Sequence, residues 1–134
     1  MKTLTAVALA IGLMLGIAGH GQAQTNADVS TGEIMKMKLD HAQKVLEGIA
    51  TENYELILAN AQKLSRLSQA TGWHARQTPE YEMFTLEFRR HADALVKAAR
   101  SQNVDAASVA YFQMTISCVS CHKYIRGAKT ASLR

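Results

Sequence analysis

The sequence predicts an all-α chain, folded as an antiparallel up-and-down four-helix bundle. Three observations predict it. Apolar residues recur at helical spacing in four separate stretches, no stretch alternates apolar and polar residues as a half-buried strand would, and Pro79 is the only proline in 134 residues. Mostly short links make neighbouring helices antiparallel.

Ahead of the helices, Lys2 precedes an uninterrupted apolar run from Ala6 to Ala18, and Gly21-Gln22-Ala23 supplies small residues for cleavage. This is the pattern of an export signal over residues 1–23, too short and too lightly flanked for a membrane anchor. The mature chain is then expected to begin at Gln24, with one domain over 24–127 and a short tail over 128–134. The formal charge of +4 drops to +3 when Lys2 leaves. The remaining Lys and Arg are scattered, which argues against nucleic acid; they are solvated surface with a mild bias toward an acidic protein partner.

The first helix is expected to start after Ser30, which with Glu33 forms a capping box, and to reach about Gly48. Met35, Leu39, Ala42, Leu46 and Ile49 are expected to share its inward face. The second runs from about Glu52 to Thr71, with Ile57, Ala61 and Leu64 among its inward residues and Gly72 ending it. Thr78-Pro79-Glu80 is a strong start for the third, which carries Tyr81, Phe84, Phe88, Ala92, Leu95 and Ala99 on one face. The fourth is expected from about Asp105 to Arg126, stopped by Gly127, with Ala107, Tyr111, Met114, Cys118, Cys121 and Ile125 inward. His41 is expected to point away from the core, His74 to be exposed, His91 to border the third helix's apolar stripe, and Trp73 to cover one end of the bundle.

The only two cysteines stand in Cys118-Val119-Ser120-Cys121-His122, the pattern of covalent haem attachment. Cysteines three apart on a helix lie on one face, so both thiols can add to the two vinyl groups along one edge of a porphyrin. The histidine that follows projects toward the iron as an axial ligand. Three other readings compete. A thioredoxin-like pair shares the spacing but belongs at a helix start after a strand, and no strand is visible. Structural zinc would need a fourth ligand from His41, His74 or His91. A plain disulfide leaves His122 unexplained.

With this motif near the end of the last of four helices, the chain resembles the cytochrome c-prime family, the class II c-type cytochromes, including their low-spin methionine-ligated members. Beyond the haem motif, the resemblance is carried by Arg126, one turn past the histidine, and by Met35-Lys36-Met37-Lys38-Leu39-Asp40-His41. Tyr124 departs from it, standing two residues after His122 where the family's aromatic residue directly precedes the arginine. The resemblance implies one haem c between the helices, its distal face covered by the first helix. Met35 and Met37 differ by about 200 degrees around that helix, so both cannot face inward. Met35 is the candidate second axial ligand, against ordinary packing beside a five-coordinate iron. Leu39 is expected as distal wall, Met114 as packing, and Arg126 as a propionate contact or a solvated helix-end cation.

The function implied is electron transfer in the bacterial periplasm with a transient redox partner protein, no enzymatic activity and no membrane association after signal cleavage. The alternative is a five-coordinate protein binding nitric oxide or carbon monoxide. The resemblance also permits a homodimer through the early helices.

Overall fold

The computed structural model describes residues 29–131, with only the backbone described at Thr71 and residues 128–131. The expected export signal lies outside the described residues. Four helices, α1 (Thr31–Ala50), α2 (Tyr54–Leu67), α3 (Pro79–Arg100) and α4 (Val104–Ala131), form the bundle, and no strand occurs among the described residues. None of these helices is long and apolar enough to cross a membrane.

Local chemistry sets the helix starts. Ser30 accepts from the Glu33 amide while the Glu33 carboxylate accepts from the Ser30 amide, completing the capping box. Thr78 caps α3 through the Tyr81 amide with Pro79 in the first turn.

The two tight turns, 51–53 and 101–103, are built alike. In each, the residue after the helix cap adopts a left-handed backbone, Glu52 and Gln102 both at φ 51°. In each, the following asparagine amide reaches back to the helix, Asn53 to the Gly48 carbonyl at 2.8 Å and Asn103 to the Ala98 carbonyl at 3.0 Å. This is the Schellman closure, here without glycine. The same asparagine side chain then caps the next helix, accepting from Leu56 or Ala106.

Two expected helix ends move. α2 stops at Leu67, where the Ser68 hydroxyl bonds to the Ser65 carbonyl, so Gly72 does not end it. Gly72 instead sits in a short 3₁₀ turn (Thr71–Trp73), where any Cβ would collide with the Val29 carbonyl and press on Ile34. α4 continues through Gly127 to Ala131, because a helical glycine with nothing around it lowers propensity without breaking the ladder.

The core is contributed by all four helices, with Val45, Ile57, Leu64, Leu95 and Ala107 fully buried. α1 is turned from its expected register. Its buried residues are Ile34, Lys38, Val45 and Gly48, while Leu39 and Leu46 are 59% and 50% exposed. The reason lies in the α1/α2 seam. Gly48 lets the Ile57 side chain approach to 2.8 Å of where a Cβ would stand, and His41 Nδ1 lies 3.0 Å from Asn60 Oδ1. His41 therefore faces α2, not solvent.

Three neighbouring pairs pack closely: α1 with α2, α2 with α3, and α3 with α4. The fourth, α1 against α4, touches far less and leaves one seam open.

Candidate functional site

Up-and-down topology gathers the start of α1, the connection 68–78, the start of α3 and the end of α4 at one end of the bundle. The Cys118-Cys121-His122 motif is on the last of these, so it opens into that end. A cavity of about 250 Å³ lies there, lined by Met35 and Lys38 from α1, Trp73 and Tyr81, and Cys121, His122, Ile125 and Arg126 at the end of α4.

The wall is rigid on the α3 side. Trp73 is buried, donates its indole N–H to Thr85 Oγ1 at 2.9 Å, and has its ring centre 5.0 Å from that of Phe88. The Tyr81 hydroxyl donates to the Trp73 carbonyl, and burial pushes its pKa above the ordinary tyrosine value. Tyr124 packs its ring 5.7 Å from Phe84, and its hydroxyl lies 2.9 Å from Thr78 Oγ1, which fixes the end of α4 to the start of α3.

Cys118 and Cys121 are free thiols, both half-buried against the core. Burial raises the Cys121 pKa, and the Lys38 charge partly opposes this. His122 is exposed at the cavity wall; what burial it has, then the charges of Lys38 and Arg126, hold its imidazole below the usual histidine range. Arg126 is one turn on and also lines the cavity.

On α1, Met35 is half-buried and lines the cavity; Met37 is half-buried and does not. Leu39, expected as distal wall, is 59% exposed and is not among the residues that line the cavity. It stands about 100 degrees around the helix from inward-facing Lys38, which turns it to solvent. Met114 is 1% exposed and packs within the core.

Lys38 is the cavity residue that hydropathy missed. It is only 9% exposed, with Nζ 4.6 Å from the Trp73 ring centre and 4.1 Å from that of Phe88. The other buried polar side chains bond to oxygen atoms: Asn60, Ser68, Thr85 and Ser117 each donate to a backbone carbonyl. Among the described residues, Lys38 meets aromatic faces in place of such an acceptor. Burial lowers its pKa, and the charges of Cys118 and Cys121 partly oppose this. A topological signal could have found it, since residues in the first two turns of α1 must face the motif end of α4.

A haem joined to Cys118 and Cys121 fits the donor set, with two unpaired thiols on one side of α4 and an imidazole on the next residue. The room is less than a porphyrin needs, since small-molecule pockets run from roughly 300 to 1,000 Å³. Seating the ring requires α1 and α4 to part, and theirs is the seam with least contact to lose. A zinc site is not assembled: among the described residues no three His, Cys, Asp or Glu side chains converge to hold a metal ion. His41 is committed to Asn60, His74 is exposed, and His91 lies 3.9 Å from Glu87. No protein family, curated protein or solved structure matches the chain, so the reading of this cleft rests on its own residues.

Proposed function

We propose that the protein is an exported monohaem c-type cytochrome that carries electrons in the periplasm. What supports this is the Cys118-Val119-Ser120-Cys121-His122 motif on α4, with Cys121 and His122 lining the cavity beside the sparsely packed α1/α4 seam and Cys118 half-buried against the core. When bound, haem c would supply reversible one-electron chemistry between ferric and ferrous iron. The chain's own residues do the rest. Cys118 and Cys121 would hold the ring by thioether links, His122 would offer its imidazole nitrogen to the iron, and Arg126, which lines the same cavity, would be available to a propionate. Met35, on the opposite helix and lining the same cavity, is the candidate sixth ligand; a thioether there raises the potential and keeps small molecules off the iron. The partner is a redox protein in transient contact with the exposed haem edge, steered by charge.

Mass analysis of chain matured in a host with haem-attachment machinery tests the reading first. The expected product carries one tetrapyrrole and lacks residues 1–23; bare polypeptide overturns it. The absorption spectrum tests the ligand. A red ferric band of methionine-bound iron is expected, lost in Met35→Ala and kept in Met37→Ala. A high-spin spectrum in the unaltered protein would replace electron transfer with the binding of nitric oxide or carbon monoxide.

A further inference from the structure

We propose that the Lys38 ammonium is a built-in positive charge that raises the reduction potential of the haem held by Cys118, Cys121 and His122. This rests on the haem reading above and adds a residue to it.

Position comes first. Lys38 projects from α1, across the seam from the helix that bears the Cys118-Cys121-His122 motif, and lines one cavity with Cys121 and His122. Thioether links join the vinyl edge of a porphyrin, and the propionates leave from the opposite edge. Lys38, which shares a cavity with Cys121 and His122, would lie beside the macrocycle that these residues hold.

The manner in which the charge is held matters as much. A carboxylate partner would fix the ammonium but cancel its field. Here the ammonium is held by the faces of Trp73 and Phe88, which fix a cation through their quadrupoles and leave its net charge intact. Among the described residues no acid pairs with Lys38, and the cavity lining contains Lys38 and Arg126 but no Asp or Glu. The surroundings are buried and apolar, where a charge acts over a longer range than in water. Ferric haem carries one more positive charge than ferrous haem. A fixed cation beside it disfavours the ferric form and moves the midpoint potential upward.

The arrangement is also specific to this residue. Lys36, two positions earlier, is exposed, so water and salt screen it. Lys38 is not screened in this way.

Spectroelectrochemical titration of matured holoprotein tests the proposal with Lys38→Met, Lys38→Gln and Lys38→Arg. Both neutral variants are expected to lower the midpoint potential, with little dependence on ionic strength in the size of the drop. Lys38→Arg should stay near the unaltered protein, and Lys36→Gln should produce a smaller drop that fades as salt is added. Ferric and ferrous spectra should keep the same axial-ligand bands throughout. Unchanged potential in whichever neutral variant matures with haem overturns the proposal. So does a change of ligand bands in the neutral variants, which would make the amine an iron ligand. Failure of both neutral variants to acquire haem, with Lys38→Arg maturing normally, overturns it too by making the lysine an assembly residue. If the unaltered chain itself carries no tetrapyrrole, the haem reading has failed, an outcome separate from all of these.

Discussion

Three seams of this bundle are closed and one is open, and the two kinds are built from different residues. The closed seams meet mainly through buried apolar and small residues, Ile57 against Gly48 among them, with side-chain pairs such as His41 with Asn60 and Phe84 with Tyr124 beside them. The open seam between α1 and α4 presents Met35, Lys38, Cys121 and His122. A bundle that only needed to fold would close all four in the same way. The difference teaches that stability and chemistry are separated by seam, so substitutions should separate by seam as well.

The largest contrast is expected from two leucines. Leu64 is fully buried between helices, and Leu64→Ala should cost about 3–4 kcal/mol, the range for a buried leucine that leaves a cavity. Leu39, over half exposed beside the open seam, should cost under about 0.5 kcal/mol when cut to alanine. Denaturant unfolding of the haem-free chain measures both. A comparable loss at Leu39 would mean that the α1/α4 seam is closed in solution.

Glycines sharpen the same contrast. A Cβ on Gly48 would meet Ile57 Cγ1 at 2.8 Å and the Asn53 carbonyl oxygen at 3.1 Å, so Gly48→Ala should cost about 1–3 kcal/mol by overpacking. Gly127, near the end of α4, has nothing within 4 Å of that position among the described residues. Gly127→Ala should stabilise α4 by up to about 1 kcal/mol on helix propensity alone. Opposite signs in thermal unfolding are the expected result.

These contrasts also show what the sequence could reveal. Helix starts were legible because caps are local: Ser30 with Glu33, and Thr78 with Pro79, specify their turns whatever surrounds them. The inward faces of α2 and α3 were legible because Ile57, Leu64, Phe88 and Leu95 are both apolar and buried. The face of α1 was not. Hydropathy puts Leu39 and Leu46 inside and Lys38 and Gly48 outside, whereas the fold buries Lys38 on two aromatic faces and Gly48 for its lack of a side chain. Neither reason is visible to a scale of apolarity. The Cys118-Val119-Ser120-Cys121-His122 pattern is local and so legible in full, whereas Lys38, Trp73 and Tyr81 as its neighbours depend on which ends the topology brings together.

The open seam should also announce itself through pH. Burial holds the Lys38 pKa below its ordinary value, so between the folded and unfolded values the unfolded chain binds more protons. Stability of the haem-free protein should therefore rise with pH through that window. Tyr81 acts in the opposite direction at higher pH: its raised pKa makes the folded state hold the proton longer, and stability falls as the unfolded tyrosine ionises. Lys38→Met should abolish the rising limb and stabilise the haem-free chain near neutral pH by about 1 kcal/mol, because a buried cation without a carboxylate partner is replaced by an apolar chain of similar length. A rising limb that survives in Lys38→Met would assign it to another group.

A small gain is expected away from either kind of seam, at the two tight turns. Glu52 and Gln102 hold a left-handed backbone that costs a residue with a Cβ about 1–2 kcal/mol, and glycine adopts it freely. Part of that gain is returned, because glycine gives the unfolded chain more freedom to lose. Glu52→Gly and Gln102→Gly should each stabilise the protein by about 0.5–1 kcal/mol. Both turns use the same closure and lie at the end opposite the Cys118-Cys121-His122 motif, so the two gains should be alike, should add in the double variant, and should leave the midpoint potential of a haem-loaded chain unmoved. A potential that shifts with either turn would show that the motif end feels the geometry of the far end, and the division of labour between seams would then have to be given up.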